Sequence, residues 1–372
     1  MEAFSVVDNR HEYAREWKKR TGGPVVGVLC SYVPEELIYA AGALPVRVLG
    51  SHEPQDVAEP HIFSMFCPFS RDVLAQGLTG KYDYLDGLVH GLSCIHMRQA
   101  YDSWQAHMPT PYNYFFPMPA HLQSPHARNH MEFELLEFKS SLEQWTGKTI
   151  TDTAMDEAIE VYNRNRRLMK QVYEMRKGDP PLLSGVDAME MVLASLFMDK
   201  KEHNPALERW SEEIPRRGNT IEPGIRLMVL GSENDDREVL RLMESLGANV
   251  VIDDHCTGSR YFWNEVLPQK DRLSAIAERY IDRPPCPSKD LVERQRFDFV
   301  LKLAEEYGVQ GAIQIQQKFC DPHEFDIPPL KALFEERNIP SLFLELDVTV
   351  PVGVLRTRIE AFLEMMQMEE LV

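Results

Sequence analysis

The six cysteines of this chain include no C-x-x-C pair, which removes the usual ferredoxin and zinc-finger signatures. There is no run of about 18 apolar residues, so a membrane-spanning helix is not expected. No G-x-x-x-x-G-K-[ST] loop occurs either, which leaves no nucleotide cradle of that type on this chain. Basic charge is scarce: 40 Lys and Arg against 58 Asp and Glu give a formal charge of −18. Binding nucleic-acid phosphates needs basic patches, so that class of partner is excluded. The stretch MEAFSVVDNRHEYAREWKKR is polar and has no apolar core of a secretion signal. A cytoplasmic protein is expected, with its cysteines kept as thiols or metal ligands and not as disulfides.

What is present is ordinary for a globular protein: 44% hydrophobic and 26% charged residues over 372 positions. That length exceeds a single compact core, and two or three domains are expected. Short apolar runs at 25–29, 45–49, 84–89 and 112–116 read as strands. They alternate with amphipathic stretches at 34–41, 68–78 and 96–105. Strand and helix in alternation imply a parallel sheet with helices on its faces. From about 129 to 217 no β-branched run occurs, and apolar residues keep helical spacing, with Thr151 or Asp152 as an N-cap and Gly178-Asp179-Pro180-Pro181 as a stop. The alternation then resumes, with strands at 225–230, 249–252, 311–316 and 341–345 and helices at 237–246, 291–307, 328–336 and 353–367. The fold class is therefore α/β, with two Rossmann- or flavodoxin-like parallel-sheet domains, 1–128 and 221–372, joined by a helical segment, 129–220.

Cys67, Cys94 and Cys320 each lie where a strand or loop gives way to a helix, in MFCPFSRD, GLSCIHMRQAYD and QQKFCDPHEFD. Ligands of open α/β sheets bind beyond the carboxyl ends of the strands, and helix N-termini favour thiolates and anionic groups. Three thiolates brought together there can hold an iron–sulfur cluster with one iron left open. Cys30 falls near such a site without being needed as a ligand, and Cys256 reads as part of a lining loop. Cys286, between two prolines, reads as structural. The basic group Arg164, Arg166, Arg167 and Lys170 reads as a solvated helix face, and Glu35 and Glu36 as carboxylates favouring a helix dipole.

Three segments carry a resemblance. VVGVLCSYVPEELIYAAGALPVRVLG, FCPFSRDVLAQGLTGKYDYLDGLVHGLSCIHMRQAYDSW and KFCDPHEFDIPPLKALFEERNIPSLFLELDVTVPVGVLRTRIEAFLEM resemble blocks of the 2-hydroxyacyl-CoA dehydratase and benzoyl-CoA reductase superfamily. The likeness runs from about residue 27 to 368, and the Cys-Asp-Pro-His and Arg-Thr-Arg-Ile-Glu-Ala-Phe segments are its most specific parts. It implies a [4Fe-4S] cluster on Cys67, Cys94 and Cys320 with one open iron. It further implies a homologous larger cluster-bearing subunit as partner and an ATP-hydrolysing iron–sulfur activator that delivers single electrons. The chemistry implied passes through ketyl or aryl radical anions of a CoA thioester, with ATP bound on the activator and not on this chain.

Within the superfamily, the QQKFCDPHEFD segment and the short length are most similar to the smaller cluster-bearing subunit of class I benzoyl-CoA reductase. That implies reduction of an aromatic acyl-CoA to a dienoyl-CoA. The alternatives are a β subunit of an (R)-2-hydroxyacyl-CoA dehydratase, a non-catalytic electron relay, or a double-cubane cluster protein, the last implying more cysteines than six. Near the three cysteines, His96, His323 and Glu324 are candidates for proton transfer. Arg98, Arg356 and Arg358 are candidates for binding an acidic group or the CoA phosphates.

Overall fold

The computed structural model describes residues 6–218, 220–290, 294–347 and 352–369. Eight strands form two separate sheets. The first contains β1 (Val25–Val28), β2 (Leu44–Arg47), β3 (Gly87–Gly91) and β4 (Tyr112–Phe116) in the order β2-β1-β3-β4. The second contains β5 (Ile225–Gly231), β6 (Ala248–Asp254), β7 (Gly311–Gln317) and β8 (Ser341–Leu346) in the order β6-β5-β7-β8. Every pairing is parallel, and the two sheets share one strand order. β1, β2, β5 and β7 are buried along their whole length, as strands covered by helices on both faces must be. β8, at the sheet edge, alternates instead between covered and open positions.

In each sheet the chain runs outward to one side and then crosses back to the other. The switch falls between β1 and β3 in the first sheet and between β5 and β7 in the second. The carboxyl ends of those pairs are where such a sheet leaves a crevice. The strand expected from 84 begins only at Gly87, because residues 81–84 form a turn, and the Asp86 side chain takes the Val25 N–H at 2.9 Å just before the strand. The amino-terminal helix Arg10–Thr21, unassigned from the sequence, anchors this turn through Lys18 Nζ, which donates to Tyr84 O at 2.9 Å. The helix expected over 291–307 is found as Gln295–Glu306, with 291–293 outside the described residues.

Helices Ala127–Thr146, Asp152–Glu174, Gly185–Ser195 and Lys200–Arg216 form the middle of the chain. Thr151 caps the second of them, accepting the Ala154 N–H at 3.2 Å. This helix braces both sheets. Its Tyr173 hydroxyl donates to Asp253 at 2.6 Å, and Asn163 donates to Val266 O at 2.8 Å. On the other side Arg166 pairs with Glu36. Arg166 is therefore buried and not part of a solvated face, whereas Arg164 and Arg167 do pair at the surface with Glu208, Glu160 and Glu265. Glu35 and Glu36 are likewise buried, bonded to Tyr261 at 2.7 Å and Tyr280 at 2.9 Å, instead of capping a helix in solvent. Their spacing was legible, but the covering helix was not. No helix among the described residues is long and apolar enough to cross a membrane.

Candidate iron–sulfur site

A cavity with about 90 Å³ of water-accessible space lies between the carboxyl ends of the two sheets, and all six cysteines line it. Cys30 follows β1 and Cys94 follows β3, so both flank the first crevice. Cys256 follows β6, and Cys320 follows β7 at the second crevice. Cys67 precedes helix Pro68–Leu78, and Cys286 comes from the loop after helix Arg272–Asp282.

Cys67, Cys94 and Cys320 each occupy the N-cap position of a helix, and none makes a side-chain capping bond. Proline follows Cys67 directly and lies two residues past Cys320, fixing the backbone where the helix starts. Phe319 takes a left-handed φ of 65°, which turns the chain sharply before Cys320. At the end of β5 only glycine fits: a Cβ on Gly231 would come within 2.0 Å of Ile315 O. That close approach sets Ser232 and Glu233 on the cavity wall.

Burial and mutual proximity govern the thiols. Burial, with Cys67, Cys286 and Cys30 adding to it, pushes the Cys94 thiol up to about 12. Burial pushes Cys256 up to about 11, against the opposing pull of Arg47 and Arg260. Cys67 and Cys320 are raised for the same first reason, and Cys320 is raised further by Cys67 and Cys94. Such thiols stay protonated unless cations replace their protons.

Cationic groups wait around them. Arg47, Arg260 and Arg283 line the cavity, and each keeps a buried guanidinium nitrogen without a hydrogen-bond partner. The Lys289 ammonium is fully buried and also without a partner. Burial lowers it to about 8, against the opposing effect of Cys30, Cys286 and Cys94. A second layer holds these groups in place. Asp254 pairs with Arg260 at 3.2 Å and Arg296 at 2.5 Å, and Arg283 donates to Ser31 O at 2.6 Å.

Soft sulfur donors backed by cations that keep free N–H groups suit an anionic iron–sulfur group better than a hard ion. Among the described residues, no three His, Cys, Asp or Glu side chains form the ligand set of a single metal ion. The thiols surround a volume and do not close on one point.

The other candidate residues divide by position. His323 is buried on the cavity wall, and burial followed by Arg260, Arg296 and His255 lowers it far enough to keep it neutral. His96 stands behind the wall. Its Nδ1 accepts the Cys67 N–H at 3.1 Å, its Nε2 lies 3.8 Å from Asp321, and its ring stacks on Phe66. It thereby ties the segments of Cys67, Cys94 and Cys320 together. Glu324 is exposed. Arg98 stacks on Phe115 and pairs with Asp102 at 2.8 Å. Arg356 pairs with Glu360, and Arg358 donates to Phe343 O, both at the surface. None of these four lines the cavity. Arg47, Arg260, Arg283, Lys289 and Glu233 were missed from the sequence, where nothing distinguishes a buried arginine from the many surface ones. Arg47, Glu233 and Arg260 had one legible signal, proximity to a strand end, and Arg283 and Lys289, in the loop after a helix, had none.

Residues 30–366 match the family model described as the D-component of 2-hydroxyglutaryl-CoA dehydratase. The chain belongs to that family. It is 28% identical over 367 residues to the β subunit of (R)-phenyllactyl-CoA dehydratase from Clostridium sporogenes, covering 96% of each chain. One of the subunits of benzoyl-CoA reductase from Thauera aromatica is 27% identical, with 88% of this chain and 86% of that one covered. The β subunit of (R)-2-hydroxyglutaryl-CoA dehydratase from Acidaminococcus fermentans is 27% identical, with 93% of each covered. Members of the family are thus enzyme subunits of both dehydratases and a reductase, and this chain stands at similar distance from each.

Proposed function

We propose that this chain is the iron–sulfur subunit of an ATP-fed reductase and holds a double-cubane cluster on all six cysteines. The observation that supports this reading is the placement of every cysteine on one cavity. Two cubanes that share a bridging ligand need three thiolates each, so six suffice for this reading. When bound, the cluster would supply low-potential electrons. Arg47, Arg260, Arg283 and Lys289 offset its negative charge, and Leu29, Phe69 and Met97 keep water from its surface. His323, held neutral, offers a hydrogen bond without adding charge. Electrons come from a separate ATP-hydrolysing iron–sulfur activator.

Substrate size follows from the cavity. The cavity is small and mostly apolar in lining, and Arg98, Arg356 and Arg358, the candidates for CoA phosphates, are engaged elsewhere. A small uncharged molecule is the substrate class that fits. A second reading is favoured by the relatives' names: one cubane on Cys67, Cys94 and Cys320, acting on an aromatic or 2-hydroxyacyl-CoA. Anaerobic assays with activator, ATP and reductant separate the two, comparing acetylene, benzoyl-CoA and an (R)-2-hydroxyacyl-CoA. Reduction of acetylene alone is expected. Dearomatisation of benzoyl-CoA, or dehydration without net electron use, would restore the second reading.

The relatives are named as subunits, which supports a second, related subunit as partner. Phe63, Met65, Ile95 and Phe325 are exposed to between 63% and 74%, and each lies a few residues from Cys67, Cys94 or Cys320. Large apolar groups grouped near a site mark a docking surface. Ile95→Glu combined with Phe325→Ser is expected to weaken subunit association by roughly ten- to a hundredfold, measured by titration calorimetry or sedimentation. Unchanged affinity would place the interface elsewhere.

A further inference from the structure

Glu233 belongs to two cavities at once. It lines the cysteine cavity, and it lines a second, narrow cleft with about 10 Å³ of water-accessible space together with Gly50, His52, Asp72 and Asp235. Both of its carboxyl oxygens are buried and neither has a hydrogen-bond partner, although the residue keeps some exposed surface. An unpartnered buried carboxyl is costly, and none of the contacts described above requires it. Its backbone is fixed: Gln317, which also lines both cavities, donates to Glu233 O at 3.3 Å.

The second cleft opens toward water through His52, whose side chain is 39% exposed and whose Nε2 lies 2.9 Å from Asp235 Oδ1. Asp235 also takes the Gly50 N–H at 3.0 Å, and Asp72 takes the N–H groups of Ser51 and His52 at 2.6 Å and 2.9 Å. The two aspartates are thus held in the cleft as fixed acceptors.

We propose that Glu233 is a proton relay between this acidic cleft and the cysteine cavity. The role rests on the reading of the cavity as a reductive site, where each electron given to a substrate calls for a proton. In the relay the Glu233 O–H bond breaks and the proton goes to the substrate atom made basic by the electron it has just gained from the reducing site. The carboxylate then regains a proton from cleft water by way of His52 and Asp235. No electron moves at Glu233. The groups facing it agree with a resting acid: burial first, then Asp235, Asp72 and Asp236, raise its affinity for a proton, and Arg47 alone opposes them. His52, raised to about 9 mainly by its hydrogen bond to Asp235, is charged at neutral pH and ready to resupply it.

Infrared difference spectroscopy tests this on the purified chain without turnover. At neutral pH the wild type is expected to show a protonated-carboxyl C=O band that Glu233→Gln removes and Glu233→Asp retains. In D2O the band should exchange at least roughly tenfold more slowly in His52→Phe than in wild type. Absence of the band, or exchange indifferent to His52, would overturn the relay. With activator and substrate, Glu233→Gln should lose turnover by about a hundredfold at unchanged iron content. Iron retained with turnover unaffected would refute the relay alone, whereas iron absent from the wild type would refute the reductive site beneath it.

Discussion

Cys286→Ala, Cys256→Ala and Cys30→Ala are each expected to lower bound iron to roughly half of wild type or less, much as Cys94→Ala does. Sequence placement alone makes Cys286 a bystander, boxed between prolines. The fold places it on the cavity wall. Its N–H donates to the Tyr32 hydroxyl at 3.1 Å, its carbonyl accepts the Lys289 N–H at 2.8 Å, and its side chain lines the same cavity as the other five. Cys286 lies close enough to Cys94, Cys256, Cys320 and Lys289 to act on each of them electrostatically. Alanine leaves the loop's backbone bonds intact, so the melting temperature of the metal-free chain should barely move. The check is colorimetric iron and sulfide on anaerobically reconstituted variants. Full iron retention in Cys30→Ala, Cys256→Ala and Cys286→Ala, with loss only in the other three, would reduce the site to one cubane.

Arg166→Ala is expected to destabilise the chain by about 3–5 kcal/mol, because it strands a buried carboxylate at the seam between the first sheet and the helical segment. Glu36 shows the balance of effects. Burial would raise its pKa, but Arg166 and then Arg279 outweigh burial and bring it to about 2. A carboxylate whose folded pKa lies below its ordinary value of 4.5 adds stability that is complete above that value. The contribution, about 3 kcal/mol for such a shift, fades as pH falls from 4.5 toward 2. Neighbouring Glu35 is raised by burial and has the opposite sign, its effect being lost only as it is forced to ionise at higher pH. Comparing Arg166→Ala with Arg166→Ala/Glu36→Gln by urea denaturation at pH 7 and pH 3 isolates the pair. The single variant should recover part of its deficit at pH 3, and the double variant should be less destabilised at pH 7. Equal destabilisation at both pH values would contradict the ion-pair account.

The strands were legible because parallel strands covered on both faces leave continuous apolar runs, and β1, β4, β5 and β7 begin where those runs begin. Boundaries failed where a turn took up part of the run, as residues 81–84 do before β3. The common strand order of the two sheets left no residue-level repeat, since buried apolar positions accept many residues at similar cost. At the site, N-cap position singled out Cys67, Cys94 and Cys320, for a cysteine before a helix is visible in one dimension. Cys30 and Cys256 were legible as neighbours of the site from their strand ends, whereas Cys286 reaches the cavity only through the course of the loop after helix Arg272–Asp282. Arg98, Arg356 and Arg358 were chosen for nearness in sequence to a cysteine or a family motif, but local partners such as Asp102, Glu360 and Phe343 O hold their guanidinium groups away.

The most direct measurement is the iron and acid-labile sulfide content of the chain, purified anaerobically with its subunits and corrected for theirs. Six cysteines acting together predict about eight irons per chain. About four irons would contradict the double cluster and leave the three-cysteine cubane, and none would contradict the iron–sulfur assignment altogether.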